Sequence, residues 1–151
     1  MIEVKNVYYS YNSREALQDI SFKMQNEFVA IMGPNGSGKT TLIKLIMGLL
    51  KPKIGEIKVF GEEPEEAMEY IGYMPQREAI AKHFPIRVRD IVMMGIAGKR
   101  IYTKEDRRRA KKALEDVGLA NLWNELFSEL SGGQQQRVLF ARALVKEPKL
   151  I

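Results

Sequence analysis

The sequence predicts an α/β protein, and three consecutive stretches predict it. Phe28-Val29-Ala30-Ile31-Met32 is an unbroken apolar run, the pattern of a strand buried on both faces. Gly33-Pro34-Asn35-Gly36-Ser37-Gly38-Lys39-Thr40 follows with the spacing G-x-x-x-x-G-K-[ST], and Thr41 comes next. Leu42, Ile43, Leu45, Ile46, Leu49 and Leu50 then recur at helical spacing. Strand, glycine-rich turn and helix in that order are the flanks a phosphate-binding loop needs.

The chemistry follows from that placement. Glycines let the backbone curl so that several N–H groups point inward. The first N–H groups of a helix have no internal partner, and the helix dipole favours negative charge there. Lys39 adds a cation for the β- and γ-phosphates, and Thr40 offers a hydroxyl to Mg²⁺. The plainer alternative is a turn that merely joins strand to helix. The full spacing with the right flanks favours a nucleoside triphosphate site, without naming a reaction.

Composition narrows the class. A chain of 151 residues, 45% of them hydrophobic, can form a folded domain with a real core. It has no cysteine, which excludes disulfides and thiolate metal sites and fits a cytoplasmic location. Met1-Ile2-Glu3-Val4-Lys5 does not read as a signal peptide. No apolar run approaches the ~20 residues that span a bilayer, so a membrane role is expected through a partner. The net charge of +5 is densest at Arg107-Arg108-Arg109 and Lys111-Lys112. There Ala110, Ala113, Leu114 and Val117 form an apolar stripe, acidic residues lie close by, and no aromatic is interleaved for base stacking. A solvated helix face is expected, not a nucleic-acid surface.

The remaining elements read in order. Ile2, Val4 and Ile20, Phe22, Met24 alternate with polar residues, as half-exposed antiparallel strands do. Between them, Tyr8-Tyr9-Ser10-Tyr11-Asn12 runs into a loop. A tyrosine there can stack on adenine or simply pack on its strand, and Tyr11 is the candidate. Asn26-Glu27 is expected to make a tight turn, since asparagine tolerates positive φ. Glu56-Ile57-Lys58-Val59-Phe60 alternates again, and 62–69 is acidic with room for a short helix. Tyr70-Ile71-Gly72-Tyr73-Met74 is a second apolar strand candidate, stopped by Pro75. Gln76 follows it, where a neutral amide can coordinate a hard cation or position water, or be an ordinary loop residue. His83, the one histidine, sits in a loop-like stretch and reads as solvated. A short helix with Val88, Ile91 and Val92 on one face precedes the charged helix, which Gly118 closes. Ser131 is a good N-cap for a last helix that Pro148 ends. Ser131-Gly132-Gly133 at a helix N-terminus is a second small-residue anion site.

Taken together, the 33–40 loop, Gln76 after a strand, and Leu130-Ser131-Gly132-Gly133-Gln134 opening a helix resemble the ATP-binding subunit of ABC transporters. The resemblance covers the whole chain. It implies a P-loop NTPase with a RecA-like core, an antiparallel β subdomain and an α-helical subdomain. Residues 1–76 would form the nucleotide-binding core and β region, 77–145 the helical subdomain that docks on a permease, and 146–151 the start of the Walker B strand. It implies ATP and Mg²⁺ as cofactors, held by Gly33, Pro34, Asn35, Gly36, Ser37, Gly38, Lys39, Thr40 and Thr41. Tyr11 matches the residue that stacks on adenine, and Gln76 the glutamine that reaches Mg²⁺. Ser131, Gly132, Gly133 and Gln134 would grip the γ-phosphate held by a second subunit, in a head-to-tail pair. The expected place is the cytoplasmic face of the membrane, with no nucleic-acid partner. Asn26 departs from the glycine usual in that turn.

Tyr73-Met74-Pro75-Gln76-Arg77, with the run from Phe84 to Gly95, looks like the zinc and manganese importer branch. Cargo there is selected by the permease and its binding protein. Lys149-Leu150-Ile151 resembles the opening of Walker B, and the family's Mg²⁺-organising aspartate and water-activating glutamate would follow it. The 151 residues are therefore expected to bind nucleotide without steady turnover, and to carry an apolar sheet edge prone to association. Non-transport ABC proteins usually carry long insertions between the two motifs, absent here. A P-loop kinase leaves Leu130 to Gln134 unexplained.

Overall fold

The structure is a computed structural model and describes residues 1–74, 85–96 and 101–151. It comprises two compact units, Met1–Met68 and Glu69–Ile151.

The first unit is a three-stranded antiparallel sheet with one helix. Strand β1 (Ile2–Tyr11) pairs with β2 (Arg14–Met24) through a tight turn at Asn12-Ser13, and β3 (Ile54–Val59) pairs with the other edge of β1. The order is β2-β1-β3. Ile2 and Val4, and Ile57 and Val59, are buried in the period-2 pattern of a half-covered sheet, and an irregularity in the pairing between Val4 and Val7 shifts the phase so that Val7 is buried too. Helix α1 (Lys39–Ile46) buries Thr41, Leu42, Leu45 and Ile46. Leu49 and Leu50 continue the helical spacing in sequence but lie outside the helix, because Gly48 turns the chain at φ 71°. Asn26 adopts φ 39°, so the turn that glycine usually makes is made here by asparagine.

The second unit is helical. Helix α2 (Val88–Met93), α3 (Lys104–Asp116) and α4 (Gly132–Leu144) pack around Val88, Ile91, Val92, Leu114, Val138 and Leu139. Helix α3 starts with a complete capping box: the Thr103 side chain accepts from the Asp106 N–H, and the Asp106 carboxylate accepts from the Thr103 N–H at 2.8 Å. Ala110, Ala113 and Leu114 form its buried stripe, Asp106 is buried in the capping box, and the other charged side chains of the helix stay exposed. Gly118, at φ 70°, follows its C-cap, Val117. The end of α2 approaches α4 closely: a Cβ at Gly95 would stand 2.1 Å from the Arg142 carbonyl oxygen.

Two expectations are corrected. Residues 28–32 are not a buried strand: they run outside any ladder, with Phe28 98% and Met32 86% exposed. An apolar run becomes a two-face-buried strand only if neighbours pair with both its edges, and among the described residues none does. Residues 70–74 likewise form no strand. A 3₁₀ turn spans Ala67–Tyr70, and Ile71 makes a single parallel bridge to Leu150. Gly72 N–H donates to the Leu150 carbonyl at 2.7 Å. Gln76 and His83 lie outside the described residues.

Leu114 is fully buried at the centre of the helical core. Leu114→Ala is expected to destabilise the second unit by about 2–5 kcal/mol, and Gly95→Ala by about 1–3 kcal/mol through overpacking. Thermal or urea unfolding followed by circular dichroism measures both. An unchanged midpoint for either would contradict the packing described.

Candidate functional site

Residues 33–40 fold into a loop that ends on the first turn of α1. The Ser37 N–H donates to the Pro34 carbonyl at 3.2 Å, closing a turn over Asn35 and Gly36. Gly36 and Gly38 stand at φ 85° and 88°, in the left-handed region. At Gly38 there is no alternative to glycine. A Cβ would lie 2.4 Å from the Ala16 carbonyl oxygen and 2.7 Å from Leu17 Cδ2, both on β2. The loop is thus set by its own backbone and by the strand beneath it.

Gly38 is the N-cap of α1, and no side chain caps that helix. Its first-turn N–H groups therefore stay available, with the positive end of the helix dipole behind them. Lys39 folds back over the loop. Its ammonium donates to the carbonyls of Gly33 and Pro34, both at 2.7 Å. Thr40 is exposed in the first turn, whereas Thr41 is 7% exposed and belongs to the buried face. Gly33, Pro34, Asn35 and Ser37 are exposed. Uncapped amides, an ammonium and an exposed threonine on one helix turn fit a polyphosphate with a hard cation.

Tyr11 stands at the end of β1, opposite Arg14 across the hairpin turn, and is 44% exposed. Its ring meets Tyr9 edge to face, with centroids 5.0 Å apart. Tyr9 is the ladder partner of Leu17, the residue against which Gly38 sits. The tyrosine pair and the loop therefore share one hairpin.

In the second unit, Ser131 caps α4 as its sequence predicts. Its side chain accepts from the Gln134 N–H at 3.4 Å, and Gln134 Oε1 accepts from the Ser131 N–H at 2.9 Å. Ser131 and Gly133 are exposed, and a Cβ at Gly133 would meet nothing within 4 Å. Gln135 is a residue the sequence did not single out. Its amide donates to the Phe127 carbonyl at 3.0 Å. No local pattern distinguishes it from Gln134 and Gln136, so only the folded chain shows which glutamine turns back.

Comparison with known proteins agrees with this geometry. The ABC transporter family profile matches residues 17–151. The chain is 40% identical to the zinc transport system ATP-binding protein TroB of Treponema pallidum (strain Nichols), over 99% of its length and 58% of the relative's. It is 41% identical to the manganese transport system ATP-binding protein MntB of Bacillus subtilis (strain 168), over 95% of its length and 59% of the relative's. The chain thus spans somewhat under two thirds of these relatives. A dimeric ATP-binding cassette solved in a post-hydrolysis state with ADP and Pi superimposes with TM-score 0.76 at 31% identity, over 98% of this chain and 71% of that one. With the glycine-rich loop, the Ser-Gly-Gly helix cap and a profile match across most of its length, the chain belongs to the ABC transporter family.

Proposed function

We propose that this chain is the ATP-binding subunit of an ABC transporter, coupling ATP binding and hydrolysis to movement of a cargo across a membrane. The observation that carries the reading is the open start of α1: a helix whose first amides meet no side-chain cap, with the Lys39 ammonium fixed beside them. Backbone amides of the 33–41 segment hold the phosphates, and Lys39 neutralises charge that builds on the β- and γ-oxygens. Thr40 supplies a hydroxyl oxygen to Mg²⁺, and Gln76 a second neutral ligand. Mg²⁺ held by these residues would supply positive charge to offset that of the phosphates. Tyr11 gives adenine a ring to stack on. Ser131, Gly132, Gly133 and Gln134 close the site from a second copy, which the dimeric relative supports.

No helix among the described residues is long and apolar enough to cross a membrane. Contact with the bilayer then runs through a permease subunit at its cytoplasmic face. The zinc and manganese relatives support a divalent metal ion as cargo, selected by that permease and its binding protein.

Lys39→Ala is expected to weaken ATP binding by at least tenfold in calorimetry, and unaltered affinity would remove Lys39 from the site. Ser131→Arg is expected to leave monomer affinity within twofold while abolishing ATP-driven pairing in analytical ultracentrifugation. Pairing that survives this change would refute the two-copy site. ATP-dependent uptake into vesicles by the permease with a subunit that carries these residues is expected to be of Zn²⁺ or Mn²⁺. Uptake of an organic solute instead would remove the metal assignment.

A further inference from the structure

We propose that Gln135 is a positioning residue for the Ser131-Gly132-Gly133 tip, acting through the carbonyl of Phe127. The inference rests on the reading of that tip given under Proposed function and adds how it is held. Two successive glutamines of α4 reach back in different directions. Gln134 closes on the Ser131 N–H, within the tip itself. Gln135, half-buried, spans eight residues to the Phe127 carbonyl at 3.0 Å. That carbonyl also accepts from the Leu130 N–H at 3.3 Å. The segment between Phe127 and Ser131 is therefore tied at both ends to the first turn of one helix.

Phe127 is itself anchored. The residue is 7% exposed in the helical core, and its N–H donates to the Ile86 carbonyl at 2.9 Å. Arg87 bridges Leu126 in antiparallel sense, and the Val88 N–H donates to the Glu125 carbonyl at 3.0 Å. Arg89 Nη1 donates to Asn124 Oδ1 at 2.7 Å. Segments 86–89 and 123–127 are thus tied together by backbone hydrogen bonds across the start of α2. Gln135 ties α4 to the second of these segments through the Phe127 carbonyl. Without its N–H donor, the Ser131 tip keeps its own capping box but loses its fixed distance from Phe127. A closing group misplaced by a fraction of an ångström gives up binding without unfolding anything.

The test uses the full chain with Gln135→Met, which keeps the shape and loses the donor, and Gln135→Lys, which keeps an N–H donor. Ser131→Arg serves as the reference. Gln135→Met is expected to leave monomer ATP affinity within twofold and the melting temperature near that of the wild type. ATP-driven pairing is expected to weaken about tenfold, the factor for one lost hydrogen bond of ordinary strength. Gln135→Lys is expected to recover pairing to within about threefold. Wild-type pairing by Gln135→Met, no recovery by Gln135→Lys, or a loss of pairing that tracks a fall in melting temperature would each overturn the proposal. If Ser131→Arg pairs normally, the reading of the tip fails and this proposal with it. If Ser131→Arg fails to pair while Gln135→Met pairs, only this proposal fails.

Discussion

The uncapped N-terminus of α1 is the constraint on which the rest of the first unit depends. Helices α3 and α4 both begin with complete capping boxes, from Thr103 with Asp106 and from Ser131 with Gln134. Helix α1 begins with Gly38 and no side-chain acceptor. A helix of eight residues is too short to hold itself together, and a glycine N-cap in place of a capping side chain forfeits roughly a few tenths of a kcal/mol more. Burial of Leu42, Leu45 and Ile46 offsets that deficit. Stability therefore comes from the apolar face of α1, which leaves its amide end unengaged. Packing of Gly38 on Ala16 and Leu17 fixes where that end points.

The start of α4 solves a different problem. Ser131 is already engaged as an N-cap. A hydroxyl has one proton and two lone pairs, however, and capping uses only a lone pair. The contact from the Gln134 N–H is a long 3.4 Å, while the reciprocal bond to the Ser131 N–H is 2.9 Å. Gln134 holds the backbone more firmly than it holds the hydroxyl. The O–H thus stays able to donate outward, beside the open space at Gly133. One serine can stiffen its own helix and still present a donor.

What the sequence disclosed divides by the range of the interaction. Loop spacing, alternation in β1 and β2, the apolar stripe of α3 and the Ser131 boundary are local, and residue order alone encodes them. Asn26 belongs with these, since its positive φ depends on its own side chain. Residues 28–32 fail because a buried strand is defined by chains beside it, which an apolar run does not specify. Residues 70–74 fail for the same reason and reduce to one bridge from Ile71 to Leu150. Leu49 and Leu50 were misplaced because a single left-handed glycine outweighs two well-spaced leucines. Gln135 was invisible because three successive glutamines carry one local signal and only one finds a carbonyl eight residues back.

The arrangement of Lys39 raises the question of whether its carbonyl contacts compete with a ligand. An ammonium has three N–H donors, and Gly33 and Pro34 take two of them at 2.7 Å. The third remains, so a phosphate oxygen adds to the set without displacing a member. Those two carbonyls also do what a long flexible side chain cannot do alone: they fix the cation before any anion arrives. Ordering a lysine on binding would cost up to about 2 kcal/mol of rotamer freedom. Here the loop has already met that cost, because the same turn that frees the α1 amides directs its carbonyls at the ammonium. Anion-facing amides and cation-facing carbonyls are two sides of one backbone curl, which is why the glycines and Lys39 act as a single device.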